Sequence, residues 1–64
     1  MSFMLFEVWG EDEHGHQDLL ETTSSIAIAR KIANKALEDG SLAAIIYQET
    51  EDGDITEIER IEIG

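Results

Sequence analysis

The sequence predicts a small α+β domain of order β-β-α-β-β, an antiparallel sheet with one helix packed on one face. Three observations predict it. Residues 3–9, FMLFEVW, form a bulky, partly aromatic run too short for a helix and closed by Gly10. Residues 25–39 carry apolar side chains at helical spacing between a Ser/Thr cluster and Gly40. Asp52-Gly53 then divides two alternating stretches, LAAIIYQET and DITEIERIEI, as the turn of a hairpin does.

The first strand runs over residues 3–9, and its side chains alternate, Met4, Phe6 and Val8 against Phe3, Leu5 and Trp9. A polar loop containing Gly10 and Gly15 leads to a second strand over 17–22, QDLLET, which makes a hairpin with the first. The helix is placed at 25–39. A Thr or Ser at 23–25 accepts from the free amides of its first turn, Ile28, Ile32, Ala33, Ala36 and Leu37 form the apolar stripe, and Gly40 suits the left-handed stop. Ser24 and Ser25 are caps on this reading, not nucleophiles.

The second hairpin follows, with Asp52-Gly53 as the two central residues of a type I′ turn. That turn opposes Thr50 to Ile55, Tyr47 to Ile58 and Ala44 to Ile61. It puts Leu42, Ala44, Ile46, Ile55, Ile61 and Ile63 on one face and Ala43, Ile45, Tyr47 and Ile58 on the other. Isoleucines at 55, 58, 61 and 63 depart from strict alternation, so a bulge near Glu59 and Arg60, or a C-terminal helical turn, is an alternative. With no proline, linker, repeat or low-complexity tract, residues 1–64 read as a single domain.

Composition bounds the function. Sixty-four residues build a small core, and with no cysteine there is no disulfide framework, which suits a cytoplasmic setting. The N-terminal run meets Glu7 early and lacks a basic flank, so it reads as neither signal peptide nor membrane helix. Fifteen acidic against four basic residues give a formal charge of −11, a field that repels nucleic-acid phosphates and anionic membranes over roughly 8 Å in physiological salt and favours a basic protein partner. The plainer meaning of such charge is solubility.

No catalytic or cofactor motif stands out. The glycines fit no phosphate-binding spacing, and the hydroxyl residues have capping duties, so the reading is non-enzymatic and cofactor-free. His14 and His16 flank Gly15 among Glu11, Asp12, Glu13 and Asp18, a candidate metal pair at a spacing that defines no geometry and more often describes a solvated loop. Both sheet faces are apolar and one helix covers only one of them. The uncovered residues, Phe3, Leu5, Trp9, Ile45, Tyr47 and Ile58, are therefore expected to form an interface, first of all in a homodimer. Leaving apolar surface in water costs about 25 cal/mol per Å². If the helix covers that side instead, Met4, Phe6, Val8 and Ile46 inherit the exposed role. Glu49, Asp52, Asp54, Glu57 and Glu59 form an expected acidic rim. They suggest the alternative of an inhibitor or nucleic-acid mimic that docks on a basic, nucleic-acid-binding protein, as small phage-encoded antagonists of host defence do.

Overall fold

The structure, a computed structural model, describes residues 4–63. The chain runs β1 (Met4–Glu11), β2 (Gln17–Thr23), α1 (Ile26–Glu38), β3 (Ala43–Thr50) and β4 (Ile55–Glu62), the predicted β-β-α-β-β order. The strands form one sheet in the order β2-β1-β3-β4, and every neighbouring pair is antiparallel. Both β2 and β3 oppose β1 and so run parallel to each other. Such strands need a crossover, which α1 supplies. Among the described residues no helix is long and apolar enough to cross a membrane.

α1 begins where the Ser25 hydroxyl accepts from the Ile28 amide at 3.3 Å. It ends in a left-handed turn at Gly40 (φ 115°), where the Ser41 amide donates back to the Ala36 carbonyl at 3.0 Å. Its buried side chains are Ala29, Ala33 and Ala36, packed on Phe6, Val8, Ala44 and Ile46 of the two central strands. Small residues let the helix axis lie close to the sheet, and the sheet supplies the bulk that fills the layer. The expected stripe is thus rotated: Ile28 is exposed and Ala29, absent from it, is buried.

The two hairpins share one design. Gly15 N–H donates to the Asp12 carbonyl at 3.1 Å and Asp12 N–H to the His16 carbonyl at 3.0 Å; Gly53 N–H donates to Thr50 at 2.9 Å and Thr50 N–H to Asp54 at 3.0 Å. Each connection is therefore a three-residue loop, Glu13-His14-Gly15 or Glu51-Asp52-Gly53, closed by a glycine at positive φ (82° and 90°). This corrects the two-residue type I′ turn expected at Asp52-Gly53, since the same dipeptide also serves the longer loop. Equally far beyond each turn the register slips by one residue, at Leu20 in β2 and at Ile58 in β4.

In β3–β4 the two irregularities offset each other. Near the turn Glu49 opposes Ile55 and Tyr47 opposes Glu57, one residue away from the expected pairs; past Ile58 the expected pairing of Ala44 with Ile61 is restored. Ile55 consequently lies on the Glu49 and Tyr47 side, not with Ala44 and Ile46, and the strand continues through 55–62 with no helical turn.

Because β1 and β3 are antiparallel neighbours with Val8 opposite Ile46, a local pseudo-two-fold axis passes through that pair and relates hairpin to hairpin. Trp9 maps on Tyr47, Glu11 on Glu49, Gly15 on Gly53, Leu20 on Ile58 and Thr22 on Arg60. The two hairpin tips accordingly lie at opposite ends of the 38 Å long axis. Along this repeat the sequences coincide at little beyond Glu11/Glu49, Glu13/Glu51, Gly15/Gly53 and Glu21/Glu59, which is why the chain reads as unrepeated.

Candidate functional site

α1 covers the face that carries Phe6, Val8 and Ile46, so the face left open is the one expected to form the interface. Its side chains stand in rows across the four strands. The two central rows, from β2 to β4, are Leu19, Trp9, Ile45, Arg60 and Thr22, Glu7, Tyr47, Glu57; the pseudo-axis exchanges them. Outside them lie Gln17, Glu11, Ala43 and Glu62 at one end and Leu5, Glu49 and Ile55 at the other.

This open face is less bare than the sequence suggests. Ile45 is 0% exposed, sealed at its place between Trp9 and Arg60, and Leu5, Trp9 and Tyr47 are half-buried. Trp9 and Tyr47 meet edge to face with ring centroids 6.3 Å apart. The Trp9 indole N–H donates to Glu7 at 3.2 Å. A hydrogen-bonded chain then crosses every strand: the Tyr47 hydroxyl donates to Gln17 (3.3 Å), the Gln17 amide to Glu11 (3.1 Å), and Arg60 to both Glu11 (2.7 Å) and Glu62 (2.6 Å). Glu62 first and Glu11 second raise the already high pKa of the Arg60 guanidinium, so its charge is fixed.

Of the expected interface residues, Leu5, Trp9, Ile45 and Tyr47 share this face, Ile58 is the exposed bulge residue of β4, and Phe3 lies outside the described residues. Of the expected acidic rim, Glu49 and Glu57 belong to the face, and Asp52 and Asp54 lie at the β3–β4 turn. Glu59 does not join them. The bulge at Ile58 turns it to the helix side opposite Ile46, where it takes Arg30 of α1 at 3.3 Å. Glu7, Glu11 and Gln17 also belong to this face and are not among the residues expected there. Glu7 and Glu11 were readable from alternation with Leu5 and Trp9; the place of Arg60 required the position of the bulge.

The loop that raised the metal question is organised by Asp12. Its Oδ1 accepts from the His14 and His16 amides, each at 2.9 Å. These bonds, that from His16 foremost, hold the Asp12 carboxyl below its ordinary value of 3.8. The His14 and His16 rings are exposed, with centroids 6.2 Å apart. Among the described residues no group of three or more His, Asp or Glu side chains is placed to hold a metal ion. An open cleft of about 280 Å³ lies on the helix side, between β2 and α1, with Leu20, Ile32 and Ala36 as its apolar floor and Lys35, Asp39 and Ser41 at its edge.

Compared with known proteins, the chain matches no family model, no curated protein and no solved structure.

Proposed function

We propose that the chain is a non-catalytic, acidic protein-binding domain that works in the cytoplasm and engages a basic partner protein through the helix-free face of its sheet. The observation that carries this reading is the composition of that face. A half-exposed Trp9–Tyr47 pair is surrounded by Glu7, Glu11, Glu49, Glu57 and Glu62, against Arg60 as the single cation of the face among the described residues. Aromatic anchors inside a charged rim are the usual make-up of an energetic contact centre, and the sign of the rim selects a positive partner. A cationic site that reads phosphates is a natural member of that class, and occupying it would make the chain an inhibitor of a nucleic-acid-binding protein.

The test is capture on the immobilised chain, followed by a binding isotherm with the purified captured protein. The expected result is a basic partner whose affinity falls steeply as salt rises and drops with Glu57→Lys and with Trp9→Ser. Indifference to salt and to both substitutions refutes the reading. A second reading, a homodimer through the same face, is favoured by exposed Leu19 and Ile55 at its two edges. The two separate by the sign of the salt effect. Stacking two copies opposes carboxylate to carboxylate, so self-association measured by light scattering strengthens with salt, whereas binding to a cation weakens.

A further inference from the structure

The pseudo-two-fold axis makes one half of the open face a template for the other. In the filled half, Arg60 reaches across Ala43 to Glu11 at 2.7 Å while its Nε donates to Glu62. Rotation about the axis carries Glu11 to Glu49 and Arg60 to Thr22. The second half thus keeps the acceptor and has a threonine where the first has its guanidinium. It also carries Glu7 where the first half has Ile45. Among the described residues neither Glu7 nor Glu49 has a cationic partner, although both are half-buried. A partly desolvated carboxylate without a counter-charge is electrostatically unfavourable, and here two are diagonal neighbours flanking Tyr47 in the register, with Glu7 neutralised by nothing more than the Trp9 indole N–H.

We propose that this empty half of the face is the seat of an arginine side chain from the partner protein, bridging Glu7 and Glu49 next to Tyr47 as Arg60 bridges Glu11 and Glu62. The inference rests on the protein-binding reading above and names the chemistry the face recognises. Arginine fits better than lysine because a planar fork donates to two separated carboxylates at once and lies flat on an aromatic ring, whereas an ammonium acts as a point charge. Thr22 leaves the site open from the β2 side, and Leu5, half-buried at the place of Ala43, gives the arginine stem an apolar floor.

The experiment is a titration of the isotopically labelled full chain, at low salt, with a capped Gly-Arg repeat peptide and with its Gly-Lys counterpart. It is read by amide shifts and by the indole of Trp9, the sole tryptophan. The expected result is shifts centred on Leu5, Glu7, Thr22 and Glu49, with the arginine peptide bound about fivefold or more tighter than the lysine peptide. Glu49→Gln weakens the arginine peptide by about tenfold. Thr22→Arg abolishes its binding while leaving every carboxylate in place, because the new side chain occupies the seat from within. Glu59→Gln, on the opposite face, changes nothing. Equal affinity for the two peptides, or undiminished binding by Thr22→Arg, overturns the proposal. Shifts centred on the tips at Glu13, Asp52 and Asp54 overturn this seat while leaving a basic partner in place. Failure of both peptides to bind overturns the wider reading as well. If Thr22→Arg loses its dispersed spectrum, the Glu7→Gln, Glu49→Gln double variant decides, and unaltered arginine binding by it refutes the seat.

Discussion

Replacing the glycines one at a time separates two physical origins of a glycine requirement. Gly15 (φ 82°) and Gly53 (φ 90°) close the two equivalent loops, and a Cβ at either meets nothing within 4 Å. The cost of Gly15→Ala or Gly53→Ala is therefore conformational alone, about 1 kcal/mol each for an L-residue held in the left-handed region. The loops stand at opposite ends of a 38 Å molecule, so the double variant loses about 2 kcal/mol, additive within about 0.5 kcal/mol. Gly10 differs: its φ is not positive, but a Cβ would stand 2.9 Å from the Ser41 hydroxyl and 3.2 Å from the end of Leu20. Both obstacles are side-chain ends that can turn aside, so Gly10→Ala costs about 1 kcal/mol or less, and most of it is recovered with Ser41→Ala. Urea unfolding followed by Trp9 fluorescence reads all of these. With m about 1 kcal/mol/M, each loop variant lowers the midpoint by about 1 M. The shared loop geometry is refuted if Gly15→Ala and Gly53→Ala differ by more than about 0.5 kcal/mol, or if both are neutral. The steric account of Gly10 is refuted if Ser41→Ala leaves its cost unchanged.

The core and the loops give further expectations. Ala33→Leu, at a position with 0% exposure against the sheet, costs about 1–3 kcal/mol by overpacking, whereas Ile28→Ala on the outer helix face changes stability by less than about 0.5 kcal/mol; chemical unfolding of both checks the rotated stripe. The depressed pKa of Asp12 means that its contribution to stability is complete above 3.8 and is lost as pH falls through the lower folded value. Asp12→Asn therefore flattens the acid limb of the stability profile, and an unchanged limb contradicts the assignment. Arg60→Ala uncovers Ile45 and frees Glu11 and Glu62, so the melting temperature falls and Trp9 emission moves to the red; Arg60→Met, which keeps the stem, restores part of both. The Thr50 hydroxyl is buried with no hydrogen-bond partner among the described residues, so Thr50→Val is neutral or stabilising, by up to about 1 kcal/mol in thermal unfolding.

What the sequence discloses here follows the range of the interaction concerned. The helix is legible because its signals are local: Ser25 caps it, Gly40 ends it, and the observed Ile26–Glu38 lies within the expected 25–39. Its rotation is less legible, because Ala29 looks weakly apolar in isolation and becomes core only when the sheet supplies Phe6, Val8 and Ile46. Which face the helix covers and how the strands are ordered in the sheet depend on contacts between elements, whereas the grouping of Leu5 with Trp9, opposite Phe6 and Val8, follows from alternation. The pairing of β4 does not. A single extra residue at Ile58 sends Glu59 to the far side and leaves Ile55 beside Glu49, and such an insertion has no residue signature of its own. The arrangement of Arg60 over Glu11 and Glu62 inherits that gap, since residues so far apart in sequence meet only once the register is known.

The kinks at Leu20 and Ile58 have one more effect, felt outside the molecule. β2 and β4 are the outermost strands, and each is broken out of line near its middle by an inserted residue, with carboxylates following at Glu21 and Glu59. A straight outer strand invites a neighbouring chain to add itself, and rows of isoleucine such as those at 55, 58 and 63 would reward the addition. The bent borders spoil that template. The same two residues that set the internal register thus deny a small, sticky sheet the straight border on which a further strand would pair.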